Sequence, residues 1–341
     1  MRAIIYRQSG ETDVLQLVER PEPVASPGEV LIRVAVSGVN PTDWKSRKGA
    51  KPGERLMFEE IVPNQDGAGT IIAVGEGVDP SRIGQRVWIW ESAYQRANGT
   101  AQEVIVLPQS HAVPLPDFAD WDLGASLGIP ALTAHRCLTV HDGVKGLSPG
   151  VLNGLTVLVA GGAGAVGHAA IQLARWAGAE VISSVSSKEK EALALAAGAH
   201  HVVDYRRENP AKVIRSIAAK GVDIVVEVAP RANATLNQAV LGQNSVVAIY
   251  ASDDDALSVP IRASMGQNLR YQFVMVYSVP AEAKALAVSD VQAALMDGAL
   301  RVGADAGLPL HHYSLEQTAE AHAAVENHAI GKVLIDVNRQ A

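Results

Sequence analysis

The sequence predicts an α/β fold, with a doubly wound parallel sheet inserted between two pieces of a β-rich domain. Three observations carry this. The first third of the 341-residue chain is a series of short β-rich runs, the part after Pro130 alternates strand and helix, and one strand there runs into a glycine-rich turn that opens a helix.

The β-rich runs are Arg2–Tyr6, Leu15–Glu19, Glu29–Val36, Thr70–Val74, Arg86–Trp90 and Gln102–Leu107, separated by Gly/Pro-bearing stretches such as Pro21–Gly28 and Pro80–Gly84. With no strong helix between them, they predict a barrel or sandwich. Thr156–Ala160 is then a bare apolar strand, as expected for one buried on both faces. Val166, Ala169, Ala170, Leu173, Ala174 and Ala177 recur at helical spacing. The alternation continues through strands Glu180–Val185, Val202–Tyr205, Asp223–Val228 and Val246–Tyr250. The helices between them are Lys188–Ala197, Asn209–Ala219 and Ala232–Leu241. Right-handed crossovers would place these strands in one parallel sheet covered on both faces. Beyond Phe273–Tyr277, helices near Ala281–Leu300 and Leu315–Asn327 precede a last strand, Lys332–Val337. The domain boundaries expected are 1–130 plus 278–341 for the β-rich part and 131–277 for the α/β part, with the ligand cleft between them.

Composition bounds the function. At 48% hydrophobic and 19% charged the chain is an ordinary globular protein, long enough for two cores. A net charge of −7 with no run of like charges argues against nucleic-acid binding, which needs clustered Lys and Arg. The single cysteine, Cys137, excludes an intrachain disulfide and any zinc site built on paired cysteines. No stretch of about 20 apolar residues and no signal-peptide core is present, so a soluble, cytoplasmic protein is expected.

The chemistry concentrates after Thr156–Ala160. Gly162, Gly164 and Gly167, with Ala163, Ala165 and Val166 between them, form G-x-G-x-x-G at a strand-to-helix junction. The first glycine suits the tight turn, the second lets backbone approach a pyrophosphate, and the third lets helix and sheet pack closely. The anion would sit at the helix N-terminus, where unpaired N–H groups favour it. NAD sites usually carry an Asp or Glu about 20 residues after this loop. Here strand Glu180–Val185 ends in Ser186-Ser187-Lys188-Glu189-Lys190, hydroxyls and ammonium groups suited to a 2′-phosphate, so NADPH is expected. The same Ser-Ser pair also reads as a helix N-cap, with Lys188 and Lys190 on a solvated face.

The chain resembles the zinc-independent medium-chain dehydrogenases/reductases, within them the quinone oxidoreductase (zeta-crystallin-like) group. The residues that carry this, besides the glycine loop, are Gly38-Val39-Asn40-Pro41-Thr42-Asp43, Pro63–Gly69, Ile83–Val87, Gly128–Ala134, Val202–Arg206 and Gly331–Leu334, in this order and spacing. The resemblance implies a GroES-like catalytic domain made from both chain ends with a Rossmann domain between. It places Asn40 and Thr133 near the nicotinamide, Ala163–Val166 at the pyrophosphate, Ser186, Ser187, Lys190 and Tyr205 around the 2′-phosphate, and Tyr250 and Ser252 beside the nicotinamide. Three of these have a plainer reading: Asn40-Pro41 as a turn, Thr133 as a residue that caps or back-bonds a helix, Tyr205 as a strand-end aromatic. Pro41 and Gln65 stand where zinc-dependent relatives carry a Cys and a His ligand, so a zinc-free enzyme is expected. His311-His312 reads as surface, in a connection without partner ligands.

Without a metal, hydride transfer depends on positioning and hydrogen bonding, which suits a quinone or an α,β-unsaturated carbonyl. No proton donor is assigned: related enoyl-thioester reductases place a Tyr after the Asn-Pro segment, and Trp44–Ala50 contains none. Asp43 reads as a loop brace and Lys45 as solvated, while Trp44 serves either a flat substrate or the core. Two other functions stay open, an enoyl-thioester or pathway-specific enone reductase and a non-catalytic, RNA-associated NADPH-binding protein. The apolar strand Leu269–Tyr277 should lie at the sheet edge, where it needs cover. The resemblance implies pairing with the same strand of a second subunit, at least a homodimer; cover by the chain's own C-terminal helices is the alternative.

Overall fold

The structure is a computed structural model that describes residues 1–252 and 256–339. It contains two compact units: Pro130–Pro309, and a second built from Met1–Ile129 with Leu310–Ala341.

In the first unit six parallel strands run in the order His201–Asp204, Glu180–Val185, Thr156–Ala160, Val222–Glu227, Leu241–Ile249, Arg270–Phe273. The chain begins in the middle, builds to one edge, then returns and builds to the other. The reversal lies between Thr156–Ala160 and Val222–Glu227, the kind of switch point at which doubly wound sheets bind ligands. Leu158, Ile182, Val203, Ile214, Val225 and Val247 join one buried cluster across these elements. Near-continuous Val/Ile runs form these strands because both faces are covered.

The boundary expected at 278 falls later. Helix Ala281–Met296 groups with the parallel sheet because Asp290, near its C-terminal half, holds two earlier segments. Its Oδ2 accepts from the Leu147 N–H at 2.7 Å and lies 2.8 Å from His135 Nε2. The edge strand is also shorter than Leu269–Tyr277: after Phe273 the chain leaves the sheet and turns at Val276–Ser278.

The second unit is a mixed sheet ordered Leu310–Ser314, Lys332–Asp336, Glu29–Val39, Asp66–Val74, Arg86–Ile89, Ala112–Pro114, with Val104–Pro108 also pairing along Glu29–Val39. The long strand Glu29–Val39 takes Val104–Pro108 against Glu29–Arg33 and the C-terminal strand antiparallel against Val36–Val39. Ile32, Val34, Ile71, Val87, Ile105, Val333 and Ile335 form the core, so both chain ends share one apolar centre.

Two helices fall where the sequence shows none clearly. Pro41–Lys48 begins with Pro at its first position, which tolerates the missing N–H. Trp121–Leu138 is broken at Gly128 (φ 2°, ψ −117°), two residues before Pro130. The freed Ile129 N–H donates to Asp66 Oδ1 at 2.9 Å. A Cβ on residue 128 would lie 2.1 Å from that same oxygen, so only glycine lets the carboxylate reach the break.

Candidate functional site

The glycine turn is built for close approach. A Cβ on Gly162 would stand 2.2 Å from Ser183 Oγ, and one on Gly167 would stand 2.4 Å from the Gly161 carbonyl oxygen. Gly164 differs: it is exposed, and the nearest atom to an added Cβ is 3.6 Å away. It caps helix Ala165–Trp176 with no side-chain hydrogen bond, leaving the first-turn N–H groups to be satisfied from outside the helix. The geometry therefore offers an open, donor-rich helix end between two tightly packed glycines, and it fits a pyrophosphate.

One strand over, Ser186, Ser187 and Lys190 come together. Ser187 is the N-cap of helix Lys188–Ala196, its Oγ accepting from the Lys190 N–H at 3.3 Å, and Lys190 Nζ donates to Ser186 Oγ at 3.4 Å. Ser187 thus caps the helix while the Lys190 ammonium and the Ser186 hydroxyl meet beside it. Tyr205, 47% exposed, follows the neighbouring strand, with its N–H on the Val185 carbonyl at 3.1 Å. No carboxylate stands at the end of strand Glu180–Val185. These side chains suit a 2′-phosphate rather than a bare 2′-hydroxyl.

Across the sheet reversal, Tyr250 is half-buried and donates its N–H to the Glu227 carbonyl at 3.1 Å; burial drives its phenol well above the usual range. Ser252 is exposed, just before the residues outside the described set. Thr133 is buried on the segment of helix that follows the break, as is Cys137, whose thiol burial pushes up. Sequence reasoning missed Glu227. Fully buried at a strand end, it accepts from the Ala229 N–H at 2.7 Å, Asn233 Nδ2 at 2.8 Å and Asn237 Nδ2 at 2.6 Å, so it shapes the loop after its strand. An acidic residue closing an apolar strand was the available signal.

Asn40 belongs to the β-rich unit and is only 2% exposed. Its Nδ2 donates to Asp66 Oδ2 at 2.6 Å, and its Oδ1 accepts from Lys332 Nζ at 2.7 Å. The Asn40 N–H donates to Asp43 Oδ2 at 2.7 Å, so Asp43 does brace the loop. Lys332 Nζ and Asp66 Oδ2 are 3.8 Å apart, both side chains buried. Two carboxylates thus share one ammonium away from water. Burial raises Asp43 to about 8, with Asp66 acting in the same direction; burial also raises Asp66 and lowers Lys332. Asp66 and Lys332 lie inside the segments that carry the family resemblance, and no role was assigned to either from sequence. Lys45 is exposed and Trp44 half-buried.

The two positions where zinc-dependent relatives carry ligands do not offer a zinc set here: the Pro41 side chain has no donor atom, and Gln65 Oε1 already accepts from the Ala93 N–H at 3.0 Å. His311 and His312 lie on strand Leu310–Ser314 rather than in a connection, and His312 has neighbours. Its ring nitrogens lie 3.1 Å from Asp336 Oδ1 and 3.4 Å from Asp122 Oδ2. Arg339 already bridges these carboxylates, at 2.7 Å and 2.8 Å. Among the described residues no helix is long and apolar enough to cross a membrane.

Residues 26–117 match the alcohol dehydrogenase GroES-like domain and residues 165–293 the zinc-binding dehydrogenase family. The chain is 32% identical over 345 residues to a quinone oxidoreductase from Lama guanicoe, covering 98% of this chain and 97% of that protein. To the human quinone oxidoreductase it is 30% identical over 342 residues, again with 98% and 97% covered. A mycobacterial structure complexed with NADPH superposes with a TM-score of 0.80 at 27% identity, covering 99% of this chain and 100% of that one. The order of the parallel strands, the glycine turn and this end-to-end similarity agree: the chain is an oxidoreductase of the medium-chain dehydrogenase/reductase family and belongs to its quinone oxidoreductase group.

Proposed function

We propose that this enzyme reduces quinones with NADPH by hydride transfer that uses no zinc. The observation that carries the cofactor choice is the Ser186–Lys190 contact at the end of strand Glu180–Val185, where a carboxylate would be needed for NADH. When bound, NADPH supplies the hydride; with one proton from solvent, a quinone becomes a hydroquinone and NADP⁺ remains. The protein's share is positional. The open end of helix Ala165–Trp176 holds the pyrophosphate, Ser186, Ser187, Lys190 and Tyr205 hold the 2′-phosphate, and Tyr250 and Ser252 lie on the nicotinamide side. Asn40 and Thr133 act as positioning residues near the nicotinamide. The missing donors at positions 41 and 65 support the absence of zinc, and an acceptor whose reduced form is only weakly basic suits such a site. An α,β-unsaturated carbonyl meets the same requirement and is the alternative substrate class.

The edge strand supports a homodimer. Arg270–Phe273 pairs with Val246–Ile249 on one side, and two apolar side chains, Phe273 on the strand and Met275 just beyond it, are 67% and 63% exposed.

The test is consumption of NADPH and of NADH with 1,4-benzoquinone and with a simple enone, each with and without a chelator. NADPH oxidation by the quinone, unaffected by the chelator, is the expected result. Preference for NADH would overturn the role of Ser186 and Lys190, and loss of activity to the chelator would overturn the zinc-free mechanism.

A further inference from the structure

The two charged neighbours of Asn40 do more than bury it. A side-chain amide has two flip states that differ only by exchange of oxygen and nitrogen. An ammonium has donors only and an ionised carboxylate acceptors only, so each neighbour by itself dictates which amide atom must face it. Lys332 Nζ at 2.7 Å requires the oxygen, Asp66 Oδ2 at 2.6 Å requires the nitrogen, and the two demands agree. The second N–H of Asn40 then points in a direction set by these two charges.

The strand register supplies Lys332 to this point. Val333 pairs with Val39 across the antiparallel ladder, so the next position sets Lys332 opposite Asn40. Gly38 clears the way: a Cβ there would lie 3.2 Å from Lys332 Nζ and 2.2 Å from the Ala125 carbonyl oxygen. Asp66 is in turn fixed by the Ile129 N–H at 2.9 Å. Such an arrangement is costly if it serves stability alone, since apolar residues of similar size commonly replace buried ion pairs at no loss.

We propose that Lys332 is a positioning residue for the reduction, acting with Asp66 to lock the Asn40 amide in one flip state. The proposal rests on the functional reading above, in which Asn40 lies near the nicotinamide. A second role for Lys332, compensating the charge of Asp43 and Asp66, is separable from the lock. In K332M/D66N the net charge of the cluster equals that of the native protein. The amide that replaces the Asp66 carboxylate can present either its oxygen or its nitrogen, so Asn40 is free to flip.

The experiment compares wild type, K332M, N40A, K332M/N40A and K332M/D66N by melting temperature, NADPH affinity and turnover of 1,4-benzoquinone. K332M should lower kcat at least tenfold with the KM for NADPH changed less than threefold, and K332M/N40A should be no slower than N40A. K332M/D66N should regain the melting temperature that K332M loses, without regaining kcat. Recovery of kcat in K332M/D66N would reduce Lys332 to a counter-charge and overturn the proposal, as would losses that multiply in K332M/N40A. Should wild type turn over no quinone, the functional reading fails by itself, and the lock is read from the Asn40 side-chain amide pair by ¹⁵N NMR. Slow hydrogen exchange in wild type that becomes fast in K332M/D66N upholds the lock; fast exchange in wild type overturns it.

Discussion

Asp43 shows how a residue chosen for geometry carries a cost in charge. Its Oδ2 takes the Asn40 N–H inside a fully buried cluster. A carboxyl raised from 3.8 to about 8 binds its proton more tightly in the folded chain than in the unfolded one. The stability this gives is fully present at pH below 3.8, declines as pH rises and is gone above about 8. Asp43→Asn keeps an oxygen for the Asn40 N–H and removes the titration. The melting temperature of the variant relative to wild type should therefore climb between about pH 5 and pH 8 and then level off. A difference that stays constant across this range would show that Asp43 does not titrate there. His322 is a second buried group held away from its ordinary titration: its Nε2 lies 2.9 Å from Asn64 Oδ1, and burial holds the ring down at about 3, so it is neutral at neutral pH.

The glycine turn and its helix form an element whose tolerance is set by backbone rather than by side chains. At Gly167 an added Cβ meets the Gly161 carbonyl oxygen and the Gly162 Cα at 2.4 and 2.9 Å, atoms that no rotamer change can move. Gly167→Ala must push helix Ala165–Trp176 off the turn, and NADPH affinity should fall at least tenfold (~1.4 kcal/mol) in a direct titration. An unchanged affinity would mean that the helix end does not hold the cofactor. This element was legible in the sequence because its requirements are local: a strand, three glycines at fixed spacing and an apolar helical face. The helices Pro41–Lys48 and Trp121–Leu138 were not, for different reasons. The first is short and mostly polar on its exposed side; the second contains Gly128 and Pro130, signals that locally mean an end, and it continues only because a distant carboxylate takes up the freed N–H. Strand Leu310–Ser314 escaped for a like cause, since His311 and His312 give no apolar alternation. The buried cluster was invisible from spacing alone: nothing local announces that Lys332 will meet Asn40, 292 positions earlier.

For the whole molecule, the exposed edge at Phe273 is the feature with consequences beyond one chain. Phe273→Glu places a charge on the outer strand without touching the core, because Phe273 is 67% exposed and sits on the strand whose inner neighbour is Val246–Ile249. Light scattering should show wild type at about twice the 35.8 kDa chain mass and the variant at the mass of one chain. Equal masses would mean that this edge joins no subunits. The β-rich unit has a different consequence, one of timing. Its sheet receives strand Lys332–Asp336 between Leu310–Ser314 and Glu29–Val39, so an inner strand is made after the other strands of its sheet and after the whole parallel-sheet unit. Until then Asp43 and Asp66 have no ammonium to share, and the apolar flank of Glu29–Val39 stands open. The unit whose first strands precede the parallel sheet in the chain is therefore the later of the two to close, and a chain stalled or clipped before Lys332 exposes that open flank as a ready mark for chaperones and proteases.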